Sequence, residues 1–152
     1  MNNKSKKGFT LIEVLIVIAI IGILAAVTIV AINPARQFAQ ARNSQRSSGV
    51  NTILNAVWQY AVDNSGNLPA SISPGLAANT MTQICQTGAS DCTGFVDLSV
   101  LTDSELYLVQ LPVDPSCTTA SSTCYWISRS ANNRITVNAS SSELGVVIQV
   151  TR

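Results

Sequence analysis

Histidine is absent from all 152 residues. That removes histidine-based triads, histidine general bases and most catalytic zinc sites together, because each relies on an imidazole. Charge is scarce, at 11% of residues, and nearly balanced, with 9 basic and 8 acidic side chains. The resulting net +1 is too small to mark a nucleic-acid binder by bulk charge. No nucleophile–base pair is visible, so a membrane-anchored enzyme has no candidate catalytic residues. Between Val14 and Ile32 there is no charged residue at all.

That uncharged stretch holds nineteen residues, interrupted only by Gly22 and Thr28. At about 1.5 Å per residue a helix of this length covers about 28 Å, enough for the hydrocarbon layer of a membrane. Lys4, Lys6 and Lys7 precede it. They hold the N-terminus in the cytoplasm and send the chain beyond the span across the membrane. A cleaved secretory signal has a shorter apolar core and is cut after it, beside small residues; Ala25-Ala26-Val27 imitates such a site. A plain signal anchor accounts for the length and the lysines. Neither accounts for Glu13, a carboxylate in the first turns of the apolar run. Such a group costs about 2.5–3.5 kcal/mol at a helix centre and less near the end, so it calls for a partner.

The run Lys7-Gly8-Phe9-Thr10-Leu11-Ile12-Glu13-Val14-Leu15, continuing apolar through Gly22 to Ala25, closely resembles the N-terminus of type IV pilins and pseudopilins. The resemblance covers about the first fifth of the chain. It implies that a prepilin peptidase cuts between Gly8 and Phe9 on the cytoplasmic side and methylates the new amine on Phe9. The physical chemistry agrees. The cut creates an α-amine, ordinarily of pKa about 7.7–8, at the head of an apolar helix. Glu13 is an acid one turn along, and opposite charges in low dielectric favour both ionised forms. In the family the acid of one subunit neutralises the amine of a neighbour; pairing within one subunit also fits the helical spacing. Removal of residues 1–8 takes three lysines and leaves 6 basic against 8 acidic side chains, a balance of −2.

The four cysteines repeat one spacing, Cys85-x6-Cys92 and Cys117-x6-Cys124. Zinc sites space thiols by about two to four residues, and a segment outside the cytoplasm favours disulfides. Four cysteines allow three connectivities. Local pairing is expected, Cys85 with Cys92 and Cys117 with Cys124, because each loop carries small turn-forming residues. Loops this short contribute roughly 2–3 kcal/mol each on a chain-entropy estimate. No metal or other cofactor is expected. The run Tyr107 to Pro115, followed by Tyr125-Trp126-Ile127, resembles the connection before the sheet in pseudopilins and related pilins, a neighbourhood that carries a calcium loop in the major pseudopilins; beside Asp114, however, Ser116 to Thr123 offers hydroxyls rather than the several acids calcium usually takes. A structural turn is the simpler reading.

After the apolar run, Asn33-Pro34 interrupts the helix. Val50, Ile53, Leu54, Val57 and Ala61 then follow helical spacing, until Asn64-Ser65-Gly66-Asn67 stops it. One long, bent helix is expected from about Thr10 to about Asp63. Arg36, Arg42 and Arg46 are expected on a solvated face or against lipid phosphates, with pairing to acids of another subunit as the rival reading. Leu68-Pro69 and Ser73-Pro74-Gly75 punctuate a loop-rich stretch. Phe95 to Ser99 reads as a short strand, and Ser99 to Leu111 has room for a helical turn. Tyr125–Arg129, Arg134–Ala139 and Gly145–Thr151 read as strands, the first two joined by Ser130-Ala131-Asn132-Asn133. They are expected to form an antiparallel sheet against the stripe at residues 50–61.

The resemblance implies the α+β pilin fold, a long bent N-terminal helix packed on a small antiparallel sheet. It implies a leader at residues 1–8 and a long helix at 9–63, with the filament core and membrane span at about 10–32 and an amphipathic part at about 35–63. A disulfide-stapled head fills residues 64–152. The function implied is a major pilin-like structural subunit of a type IV pilus. It would be a single-pass protein of the inner membrane first, and part of an extracellular homo-oligomeric filament afterwards. Its partners would be the prepilin peptidase, the inner-membrane assembly machinery and copies of itself. Two rivals remain: a pseudopilin of a type II secretion or DNA-uptake machine, and a minor pilin that binds DNA through a cluster of Arg129, Arg134 and Arg152.

Overall fold

The computed structural model describes residues 8–73 and 76–152. The lysine leader and the Pro74-Gly75 turn lie outside the described residues. Two helices come first. Helix α1, Leu11–Ile32, is followed after one residue by α2, Pro34–Asp63. The break is chemical: Asn33 takes a left-handed conformation (φ 47°, ψ 75°) and ends α1. Pro34 then opens α2 at the position where a missing N–H costs least, and Asn33 Oδ1 accepts from the Arg36 amide. Helix α2 stops where Ser65 and Gly66 turn to positive φ and the Gly66 amide closes onto the Ala61 carbonyl.

By its contacts the chain forms two units, one ending at Phe38 and the other spanning Ala39–Arg152. The first contains α1, in which no residue is buried. Its 22 residues are apolar enough to cross a membrane.

The second unit has a conventional core. Four strands follow α2: β1 (Thr82–Cys85), β2 (Ser122–Arg129), β3 (Ile135–Ala139) and β4 (Ile148–Thr151). They form one antiparallel sheet in the order β1-β2-β3-β4. Alternation sends Tyr125, Ile127, Ile135 and Val137 inward, where they meet Val50, Ile53, Leu54 and Val57 of α2. The expected stripe and the three C-terminal strands are therefore present. Strand β1 adds a fourth. Phe95 to Ser99 contributes only a parallel bridge between Val96 and Ile84, and two 3-10 turns follow at Ser99–Leu101 and Asp103–Glu105. Disulfides join Cys85 to Cys92 and Cys117 to Cys124.

Candidate functional site

Residues 8–10 precede α1 without helix or strand and are exposed. Nothing in the described chain requires a glycine at position 8, since a Cβ there would meet no atom within 4 Å. Phe9 is 89% exposed. Thr10 is the N-cap of α1, with φ −82° and ψ 150°. Its hydroxyl accepts from the Glu13 amide at 3.3 Å. Glu13 Oε2 accepts in return from the Thr10 amide and the Thr10 hydroxyl, both at 2.8 Å. This reciprocal cap satisfies amides that would otherwise be orphaned at the helix start. Glu13 thus has a local partner in Thr10, a role beside the expected pairing with an amine. The cap is legible as Thr-x-x-Glu directly before an apolar run. Neither hydrogen-bonding atom of Thr10 is lost by a cut before Phe9. Glu13 Oε1 takes no hydrogen bond among the described residues.

A second polar constellation lies in the head. Arg46 is fully buried. Its Nε and Nη2 donate to the two carboxylate oxygens of Asp114 at 2.8 and 3.3 Å. Nη1 donates to Glu143 Oε1 at 2.9 Å and Asn43 Oδ1 at 3.0 Å, and Nη2 also reaches Ser116 Oγ at 2.7 Å. These bonds account for all five guanidinium donors. Arg42 adds a fork onto Glu143, with both contacts at 2.6 Å. Asn43 binds the Glu143 backbone in both directions. The two arginines pull the Glu143 carboxyl down to about 2, Arg42 contributing most. Asp114 and Glu143 in turn raise Arg46.

This overturns both readings of Arg42 and Arg46. Arg46 is buried and Arg42, though its side chain is still 39% exposed, is paired, because acids of the same chain hold both. Their partners lie 68 to 101 positions away in sequence, beyond any local pattern. A signal existed nonetheless. Asn43 and Arg46 continue the buried stripe of Val50, Ile53 and Val57 at helical spacing, so a polar pair was due on the buried face. The same contacts settle the use of Asp114: both its oxygens serve Arg46, and Oδ1 also accepts from the Ser116 amide. The Cys117–Cys124 bridge lies directly beyond. Arg36 makes no ion pair among the described residues.

Gly49 of α2 faces this region. A Cβ there would fall 2.6 Å from the Tyr125 hydroxyl. That hydroxyl is buried without a partner, and burial pushes its pKa up to about 12. A cleft of about 520 Å³ alongside is lined by Gln45, Ser48, Thr52, Gln86, Gln110 and Tyr125, among others. It holds amides and hydroxyls and no carboxylate or thiol. Arg129, Arg134 and Arg152 share the far end of the sheet by backbone position: Arg129 pairs in register with Ile135, and Arg152 exchanges both backbone hydrogen bonds with Ile135.

Residues 3–29 match the family described as "Prokaryotic N-terminal methylation motif". The chain is also similar to the type IV wide pilus major component PilA4 of Thermus thermophilus, 43% identical over 76 residues, which cover 48% of this chain and 56% of the relative. It thus spans about half the length of that curated relative. No solved structure matches it.

Proposed function

We propose that this chain, whose methylation motif and pilus relative support the type IV pilin family, is the prepilin of a structural filament subunit. Residues 1–8 are the leader. A prepilin peptidase cuts between Gly8 and Phe9 and methylates the Phe9 amine. The span then holds the subunit in the inner membrane, head outward, until the assembly machinery passes it into a homo-oligomeric pilus. Residues 9–63 supply the filament core and its amphipathic continuation, and 64–152 the stapled head.

The observation that carries this reading is the N-terminal junction. An exposed, non-helical Gly8-Phe9-Thr10 leads into a helix of 22 residues with none buried. An exposed, non-helical backbone suits a peptidase. A glycine with open space around it points to a requirement outside the chain. An apolar helix without internal contacts needs lipid or other helices, and Ala19, Gly22 and Ala26 allow close approach. Glu13, with one oxygen engaged by Thr10 and the other open among the described residues, would receive the amine of an incoming neighbour. Type IV pilins are structural proteins, which supports reading this chain as a subunit rather than an enzyme.

Intact-mass analysis of subunits from sheared filaments tests the reading. The subunit should lack residues 1–8 and carry one additional methyl. A mature N-terminus after Ala26, or retention of Met1, would overturn it. Long sheared fibres with this chain as dominant subunit separate a pilus from a short pseudopilus.

A further inference from the structure

Outside the first unit, at positions 39–152, there are five arginines and seven acids. Arg42 and Arg46 are matched internally by Asp114 and Glu143. None of the remaining three arginines, Arg129, Arg134 and Arg152, makes an ion pair among the described residues, and all three stand at one end of the sheet. Arg129 ends β2, and its Nη1 and Nη2 reach only neutral acceptors, Asn133 Oδ1 and the Leu76 carbonyl. Its Nε is buried without a partner. Arg152 reaches Asn55 Oδ1, again neutral. Arg134 and Arg152 are exposed. A terminal carboxylate at Arg152 would still leave two uncompensated positive charges there.

The other end of the sheet has the opposite sign. Strand β1 runs antiparallel to β2 and places Cys85 against Ser122. The Cys85–Cys92 bridge therefore sets Asp91 at the Ser122 end. Val96, beside Ile84 in parallel sense, directs the chain to Asp97 at the same end, where Asp97 borders the disulfide loop. Asp91 and Asp97 are exposed, and their hydrogen bonds stay local, to Thr93 and to the Ser99 amide. From Ser122 to Arg129, strand β2 separates the two ends by about 23 Å at about 3.3 Å per residue.

We infer that the Arg129–Arg134–Arg152 end of one head docks on the Asp91–Asp97 end of a second copy. The charges are complementary and sit on different faces of the same molecule. Such a contact is heterologous, and a heterologous contact that does not close generates a filament rather than a dimer. Exposed charge pairs are individually weak. They fix partner and register, and repetition along a filament multiplies their effect. The inference rests on the filament reading and goes beyond it, because assembly through α1 does not specify how heads meet. A nucleic acid is the less favoured partner: three guanidiniums form a short patch, whereas the chain itself carries the matching acids.

The test uses the full chain in cells that assemble it, with three variants: Arg134→Glu/Arg152→Glu, Asp91→Lys/Asp97→Lys, and the four changes together. Recovery of processed subunit in sheared filaments is measured after a low-salt wash. Each pair should lower recovery about tenfold at an ionic strength of about 0.01 M, where screening extends over about 30 Å. The four-fold exchange should restore recovery to within about threefold of the parent, since the pairs are re-formed with reversed polarity. Head melting of the solubilised variants should be unchanged. Loss in both pairs without restoration would place the contact elsewhere and overturn the inference. Unchanged filaments in all three variants would overturn it while leaving the filament reading intact. Reduced DNA retention by the arginine pair with unchanged filament recovery would assign that end to a polyanion instead. Failure of the parent itself to appear in filaments would remove both readings.

Discussion

Two glycines sit inside helices, and they are there for different reasons. A Cβ at Gly49 in α2 would lie 2.6 Å from the Tyr125 hydroxyl, whereas a Cβ at Gly22 in α1 would meet nothing within 4 Å. The ionised groups divide the same way. Arg46 is fully buried with every donor matched inside its own head. Glu13 holds Thr10 with one oxygen and leaves the other open among the described residues. The head has residues whose purpose is visible within one chain. The first unit has residues whose purpose is not, and an apolar helix with nothing buried. This division is what the proposed filament subunit requires. One part must fold alone, and the other must remain incomplete until it meets lipid or another subunit.

Removing a buried charge should separate the two parts most strongly. Arg46→Met leaves Asp114 buried and unpaired, a loss of about 3–5 kcal/mol. The solubilised chain should show a large fall in head melting temperature. Arg46→Met/Asp114→Leu should recover part of it, because no charge remains stranded beside Arg46's place. Arg36→Met, in the first unit, should leave the melt unchanged. Equal losses from Arg36→Met and Arg46→Met would erase the distinction.

The glycines come next. Gly49→Ala should destabilise the head by about 1–3 kcal/mol through overpacking against Tyr125. Gly22→Ala should leave head melting alone and raise intrinsic helicity of α1, by up to about 1 kcal/mol of propensity. Its cost should appear only in filament yield, where close helix approach is lost. A melt shifted equally by both substitutions would contradict the assignment.

How much of the molecule is legible in the chain depends on the range of each interaction. The stripe at Val50, Ile53, Leu54, Val57 and Ala61 and the strands from Tyr125 onward declare themselves by period. The Ser130–Asn133 turn declares itself by its residue types. Strand β1 does not, because Thr82-Gln83-Ile84-Cys85 is short, lies in a loop-rich stretch and has two adjacent buried residues instead of alternation. The Arg46 cluster escapes for a different reason. Its partners are remote in sequence, and an arginine just beyond a membrane span ordinarily stays in water. The N-terminal cap is available in the spelling Thr10-x-x-Glu13. Outside any single-chain pattern lie the groups that Gly8, Gly22 and Glu13 are proposed to meet.

The smallest expected effect is the pH dependence of the head. Arg42 and Arg46 hold Glu143 at about 2, below its ordinary 4.5. A depressed carboxylate contributes stability that is complete above its unfolded pKa and is lost as pH falls through the folded one. Head melting should therefore decline from about pH 4.5 toward pH 2. Glu143→Gln should start from a lower melting temperature at neutral pH and show a shallower decline over that window. An unchanged acid slope in Glu143→Gln would mean that the clamp does not set it.

The central claim is that the first unit is completed by a neighbour, and Glu13 tests it most directly. Membrane-bound subunit and sheared filament should be compared for Glu13→Val and Glu13→Gln, alongside the head melt and the intact mass. Insertion and cleavage after Gly8 should continue, since the leader and span are kept, and the head melt should not move. Filament recovery should collapse, because an incoming amine left unpaired in an apolar core costs about 3–5 kcal/mol, on the order of hundreds-fold or more at each docking step. Normal filament yield from both variants, with the processed mass confirmed, would contradict the claim.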